Sequence, residues 1–221
     1  EFEKSFSEYI GTKFGIGVAN GPDAIVIARR ALNICSNDEV ITVSHTAIPT
    51  VAAIVASGAK PVLIDVEKEF YTIDPSKIRE NITDKTKAVI AVHLYGQPCN
   101  IQEIKKICDE SNIKLIEDVS QAHGSSYFDK KLGSFGSIAC FSCYPTKNLG
   151  ALGDAGVLVT NNADLAEKCK MIRQYGWNKR ASSEIFGRNS RLDEIQAAIL
   201  NVKLKYLDQH NEMRNYIANK Y

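Results

Sequence analysis

Short apolar runs alternate along the chain with segments of helical period. Ile16-Gly-Val-Ala19 is an apolar run that stops at Asn20-Gly21. From Asp23 to Asn33 the spacing changes, and Ala24, Ile27, Ala28, Ala31 and Leu32 recur on one helical face. The same logic predicts strands at Glu39–Val43, Lys60–Asp65, Lys87–Val92, Lys114–Asp118, Ile138–Ser142 and Gly156–Thr160. It predicts helices at Pro49–Ser57, Ile101–Ser111 and Ala163–Tyr175, and a short one opened by Asp74-Pro75. Proline suits a first helical position because the amide it lacks would have no partner there. The strand runs show no polar alternation, so both of their faces are buried, with helices between them. That is the pattern of an α/β fold with a mostly parallel central sheet flanked by helices.

Two later segments break this rhythm. Trp177 to Asn189 is polar and irregular and reads as a mobile loop. From Ser190 onward, Leu192, Ile195, Ile199, Val202 and Tyr206 recur at helical spacing, and the pattern continues through Met213 and Ile217. Roughly thirty residues of helix would run about 45 Å, more than the width of a domain this size. The chain therefore divides into a large domain over residues 1–190 and a long linking helix over 191–221. The helix is expected to lead toward a second, C-terminal domain. The absence of an initiating Met and the ending inside a helical pattern fit part of a longer protein.

Charge narrows the classes of partner. Lys and Arg number 27 against 26 Asp and Glu. This balance supplies no attraction to nucleic acid or to an anionic membrane surface. The apolar runs fall short of the roughly 20 residues that span a bilayer. The N-terminal Glu1-Phe-Glu-Lys4 does not resemble a secretory signal. The 6 cysteines are irregularly spaced and read as buried thiols in a reducing cytoplasm. Cys140-Phe-Ser-Cys143 has metal-like spacing but no second pair, so two small core residues of a strand are the better reading.

In open parallel sheets, ligands bind at the carboxyl ends of the strands. The sequence sets Asn20-Gly21, Ser44-His45-Thr46, Asp65, His93, Asp118 and Ser142 at such ends, with Gln121, His123 and Lys147 close behind. A dinucleotide site is one candidate, through Gly15 and Gly17. Its third glycine is replaced by Asn20, and the pair lies inside the strand rather than after it. A second candidate accounts for more residues. Lys147 supplies an amine able to form a Schiff base with a carbonyl. Asp118 could hold a protonated pyridine nitrogen. Ser142 and the amides at Gly21 could hold a phosphate at a helix N-terminus. Amine, carboxylate and phosphate cradle are the requirements of pyridoxal phosphate. Each residue alone has an ordinary reading as a solvated lysine, a helix cap or a backbone-bonded serine. The weight lies in their occurrence together and in order.

The ordered set resembles the DegT/DnrJ/EryC1/StrS family of pyridoxal phosphate-dependent nucleotide-sugar aminotransferases. The matching stretches are Val18-Ala-Asn-Gly-Pro-Asp-Ala24, His93-Leu-Tyr-Gly-Gln97, Glu117-Asp-Val-Ser-Gln-Ala-His-Gly124, Thr146-Lys-Asn-Leu-Gly150 and Asn189-Ser-Arg-Leu-Asp-Glu-Ile-Gln-Ala-Ala198. They cover essentially the whole chain. The resemblance implies the large domain of a type I pyridoxal phosphate transferase, with a small C-terminal domain missing. It implies that Lys147 carries the cofactor and shuttles a proton, that Asp118 pairs with the ring nitrogen, and that Gln121 lies near the phenolic oxygen. Ser142 and the turn Gly21-Pro22-Asp23 would hold the phosphate. Asn189 would reach the phosphate of a neighbouring subunit, which implies a homodimer with shared sites. The family moves an amino group, usually from glutamate, to a keto group on a nucleotide-linked deoxyhexose. The Asn189 motif resembles members acting on dTDP-3-keto-6-deoxyhexoses, with 4-keto sugars as the alternative.

Two residues depart from the family pattern. Pro22 stands where Thr or Ser is usual, which removes an amide and a hydroxyl. Ala47 stands where an aromatic often stacks on the ring. Both imply weaker cofactor retention, and with them comes a rival reading as a non-catalytic binding or regulatory module. A dehydratase branch carries histidine in place of the lysine, and Lys147 argues against it.

Overall fold

The computed structural model describes residues 1–179 and 181–221. The chain opens with α1 (Phe2–Ile10), which buries Phe2, Phe6 and Ile10 and ends at Gly11 in the left-handed region. Its Phe2, Phe6 and Ile10 stand at the helical spacing of four, a signal the sequence reading of this polar opening passes over. There follow β1 (Phe14–Val18), α2 (Gly21–Ala31), β2 (Glu39–Val43), α3 (Ile48–Ala56), β3 (Lys60–Ile64), α4 (Pro75–Asn81) and β4 (Thr86–Val92). After a 3-10 turn at Leu94–Gly96 come α5 (Ile101–Glu110), β5 (Lys114–Asp118) and a small hairpin, β6 (Ser126–Tyr127) with β7 (Lys130–Lys131). Then come β8 (Ile138–Ser142), β9 (Gly156–Thr160), α6 (Ala163–Arg173), β10 (Trp177–Lys179), β11 (Ser182–Ser183), α7 (Glu194–Leu204) and α8 (Leu207–Ala218). Asn20, Asp74, Asn100 and Asn162 open α2, α4, α5 and α6 by accepting a first-turn amide on the side chain.

The central sheet has 7 strands in the order β1-β9-β8-β5-β4-β2-β3. The pairs β2–β3, β2–β4, β4–β5 and β5–β8 are parallel, and β9 runs against both of its neighbours. All the sheet strands but β9 therefore end on one edge. Both faces are covered. Ile138 and Cys140 of β8 belong to the core cluster on the α2 side, while Ala139 and Phe141 belong to the cluster with α1 and α7. Phe6 packs edge-on to Phe141 at 4.9 Å between ring centroids.

The structure revises two sequence expectations. The long C-terminal helix is broken: α7 ends before Tyr206, and α8 starts at Leu207. The bend lets Asp208 accept a bond from the Tyr9 hydroxyl (2.5 Å) and Asn211 donate to the His123 carbonyl (2.8 Å). The segment expected as an irregular loop at Trp177–Asn189 contains the β10–β11 hairpin, apart from Arg180, which lies outside the described residues. Its end is tied down by the Arg188 amide, which donates to Ile172 O at 2.7 Å.

Candidate active site

At the edge where the parallel strands end lies a cavity of about 590 Å³. Its wall contains Gly21, Pro22 and Asp23 from the start of α2, Asp118 at the end of β5, Gln121, Ser142 at the end of β8, and Lys147. Seven of the eight candidate positions thus border a single space, and Asn189 is the one that does not. Asn189 is exposed and bridges to Gln174.

The start of α2 sits directly on the strand ends. A Cβ on Gly21 would lie 2.6 Å from Cβ of Ser142, and one on Gly156 would lie 2.5 Å from the Asn20 carbonyl oxygen. Only residues without side chains permit this approach. In the first turn of α2, the Asp23 amide donates to the Asn20 side chain and the Ala24 amide to the Asn20 carbonyl. Pro22 has no amide to offer. Among the described residues, the Gly21 N–H is the first-turn donor left without a partner. It stands beside the Ser142 hydroxyl at the positive end of the helix, an arrangement suited to an anion.

Asp118 is 5% exposed and held from two sides. The Thr50 hydroxyl donates to Oδ2 at 2.8 Å, and the Ser120 amide donates to Oδ1 at 3.1 Å. A carboxylate only accepts, so the Thr50 proton points to Asp118 and the Thr46 hydroxyl, 3.0 Å away, donates to Thr50. Gln121 Oε1 accepts the Tyr95 amide at 2.9 Å, which fixes the amide orientation and leaves its NH₂ as a donor. Lys147 is half-buried, and its amine forms no ion pair among the described residues. Next to it, His123 is buried with both ring nitrogens unpartnered, and its pKa falls to about 3, first through burial and then through the charge of Lys147. His123 is therefore a neutral imidazole.

Behind Asp118 lies a second buried layer. Glu117 accepts amides from Gly133 (2.8 Å), Phe135 (2.8 Å) and Gly136 (2.7 Å) and pairs with His93 Nε2 at 3.3 Å. Burial would raise the Glu117 carboxyl, but the hydrogen bond from His93 and the amides of Gly133 and Gly136 outweigh it and bring it below the usual range. Cys99 donates its amide to His93 Nδ1 at 3.1 Å, and the His93 amide donates to the Asp118 carbonyl at 3.1 Å. The backbone at Asp118 is thereby clamped as well as its side chain.

A second cavity, of about 580 Å³, adjoins the first across Gln121, Thr146 and Lys147. Asn148 and the α8 residues Asn211, Arg214 and Asn215 line it. The two spaces meet at the lysine, so a group bound in the first cavity and a second molecule in the other can both reach its amine.

Some wall residues escape the sequence argument. Thr50 sits in an otherwise apolar helix, and only its spacing of four from Thr46, at a helix start, hints at a shared face. Gly15 and Gly17, the weak dinucleotide motif, have a packing reason instead: a Cβ on Gly15 would collide with the Glu3 carbonyl of α1, and one on Gly17 with Leu192. Cys140 and Cys143 are buried free thiols, and burial raises the Cys143 thiol to about 12.

Residues 1–221 match the pattern of the DegT/DnrJ/EryC1/StrS aminotransferase family. The chain is 51% identical over 221 residues to dTDP-3-amino-3,6-dideoxy-alpha-D-galactopyranose transaminase of Aneurinibacillus thermoaerophilus, covering 100% of this chain and 61% of that protein. It is 44% identical to a pleiotropic regulatory protein of Geobacillus stearothermophilus, again over 100% of this chain and 59% of the relative. Among solved structures, S. venezuelae DesV in complex with a ketimine intermediate superposes with a TM-score of 0.97 at 42% identity, over 100% of this chain and 59% of that one. NtdA from Bacillus subtilis with bound cofactor PMP gives a TM-score of 0.95 at 38% identity, over 100% of this chain and 50% of that one. The chain thus spans about three fifths of the length of these curated relatives.

Proposed function

The chain belongs to the DegT/DnrJ/EryC1/StrS aminotransferase family, and from that premise we propose that its edge cavity takes pyridoxal 5′-phosphate and that the whole protein transfers an amino group from glutamate to a keto nucleotide-linked deoxyhexose. One observation carries the reading: the amine of Lys147, the carboxylate of Asp118, the amide of Gln121 and the α2 N-terminus with Ser142 border the same cavity. The residues present fit the group. Gly21 N–H and Ser142 Oγ offer donors to a phosphate, and the close approach at Gly21 leaves no room for a side chain there.

The chemistry a bound pyridoxal phosphate supplies is an electron sink for the substrate carbon. The rest falls to this chain. Asp118, oriented by Thr50 and the Ser120 amide, would hold the ring nitrogen and favour its protonated form. Gln121, whose Oε1 is taken by the Tyr95 amide, would offer its NH₂ to the ring oxygen. Lys147 Nζ would hold the cofactor through its carbonyl carbon and, once displaced by the amino donor's own amine, would serve as the base that takes up and returns the proton at the amino-bearing carbon. The neighbouring polar cavity, with Asn211, Arg214 and Asn215, gives the substrate room on the lysine side. Asn189, exposed and off the cavity wall, serves the phosphate of a partner subunit, so the working form is a homodimer.

The substrate reading is a dTDP-3-keto-6-deoxyhexose, supported by the name of the Aneurinibacillus relative, with a 4-keto sugar as the second choice. The non-catalytic reading is not favoured, because the amine and carboxylate share a cavity. Among the described residues, no helix is long and apolar enough to cross a membrane, and the free thiols, buried as expected except for the exposed Cys35, suit a cytoplasmic protein. The test is a transamination assay of the full chain with glutamate against a panel of 3-keto and 4-keto nucleotide sugars. Turnover with a 3-keto sugar that disappears in Lys147→Ala supports the reading. No turnover with any member, and no absorbance change on adding the cofactor, overturns it.

A further inference from the structure

We propose that Arg188 is a positioning residue of the phosphate cradle, acting through Asp23 to remove a negative charge that would otherwise oppose the cofactor's phosphate. This rests on the reading of the cavity given above. Asp23 lies in the first turn of α2 and lines the cavity, yet it is a carboxylate beside the place where a dianion is to sit. Its own field cancels part of the helix N-terminus, and Pro22 has already removed one amide from that turn.

The structure supplies a compensating charge. Arg188 Nη2 lies 2.8 Å from Asp23 Oδ1. Asp23 is largely buried, whereas Arg188 is partly exposed and is not part of the cavity wall. The guanidinium therefore works from behind the carboxylate. Its backbone is held independently, since the Arg188 amide donates to Ile172 O and its carbonyl accepts from the Tyr175 amide. The side chain can be changed without releasing the segment. With the pair intact, the turn carries no net side-chain charge, and the Gly21 N–H and the α2 dipole act on the phosphate unopposed.

The test compares binding of pyridoxal 5′-phosphate and of phosphate-free pyridoxal to the full chain, by titration of absorbance and fluorescence. Arg188→Gln is expected to weaken pyridoxal phosphate binding about tenfold, the effect of one uncompensated charge several ångströms away in a partly solvated site. Pyridoxal binding should change less than about twofold, since it brings no dianion. Arg188→Lys should retain most of the affinity. Asp23→Asn combined with Arg188→Gln should recover it, because the offending charge is gone as well. Equal weakening of both ligands, or no weakening of either, overturns the role of Arg188. A wild-type chain that binds pyridoxal as tightly as its phosphate overturns instead the assignment of the phosphate cradle, and the role of Arg188 falls with it.

Discussion

Thr50 shows how much a single hydroxyl can direct. It donates to Asp118 and accepts from Thr46, so a line of protons points at the carboxylate. Thr50→Val keeps the shape and removes the donor. We expect about 1 kcal/mol of lost stability, the net worth of one such bond. Because Asp118 is then less well oriented, kcat should fall by about tenfold while KM for the sugar changes little. Thermal unfolding and steady-state kinetics of the full chain read the two effects separately. A KM change with kcat intact would show that Thr50 serves the substrate and not Asp118. Pro22 is the opposite case, a residue that withholds a donor. Pro22→Thr restores an amide and a hydroxyl at the mouth of the α2 turn and should tighten pyridoxal phosphate binding by about tenfold, in line with a charge-assisted bond. Unchanged affinity in that variant would mean that the turn does not face the phosphate. Lys147 and Asp118 were recognisable in the sequence because an amine just past one strand end and a carboxylate at another occur with a phosphate cradle, in order, in one chain. Thr50 and Arg188 were not, because a threonine in a helix and an arginine in a polar segment are ordinary until their partners are known.

Elements act here as holders of position. β5 ends in the pair Glu117-Asp118, and alternation sends the two side chains to opposite faces of the sheet. Asp118 faces the cavity, while Glu117 gathers the amides of Gly133, Phe135 and Gly136. The Glu117 carboxyl titrates below its ordinary 4.5 in the folded chain. A lowered folded pKa stabilises above the unfolded value and loses that contribution as pH falls through the folded one. Stability should therefore decline as the pH drops below about 4.5. In Glu117→Gln this part of the acid slope should vanish, and the neutral-pH stability should fall by about 3 kcal/mol, because an NH₂ replaces one of the two oxygens on which the buried donors converge. Chemical denaturation at several pH values measures both. An unaltered slope would place the acid-sensitive group elsewhere. Six of the central strands were legible from unbroken apolar runs to within a residue, whereas β1 begins at Phe14, two residues before the run read from Ile16. The α1 helix carries the helical spacing of four at Phe2, Phe6 and Ile10, but three apolar positions in a polar terminus are a short signal, and only the sheet shows which face they cover. The break before α8 was hidden for a related reason: apolar periodicity continues across it, and the turn is set by what Asp208 and Asn211 reach.

Over the whole molecule, the parallel order of the sheet brings residues as distant as Gly21, Asp118 and Lys147 to one edge. Asn189 stays outside that gathering, and its proposed work in a partner subunit has a direct test. Lys147→Ala and Asn189→Ala chains, each weak alone, should regain activity when unfolded and reassembled together. Random pairing would restore about one quarter of the wild-type sites, because half of the dimers are mixed and each mixed dimer holds one intact site. Absence of any recovery would show that Asn189 serves its own subunit or that no dimer forms. Apolar runs and helical periods were enough to specify strands, helices and a parallel α/β sheet, because burial on both faces leaves a local imprint on residue order. Strand-end aspartate and serine were legible as polar groups where a core would exclude them, and Lys147, just past β8, through its occurrence with them. Proximity between segments has no such imprint. The approach of α2 to Ser142, the Thr50 hydroxyl on Asp118, the reversal of β9 and the pairing of Arg188 with Asp23 arise from long-range packing, where contacts are made between positions whose spacing along the chain carries no period to read.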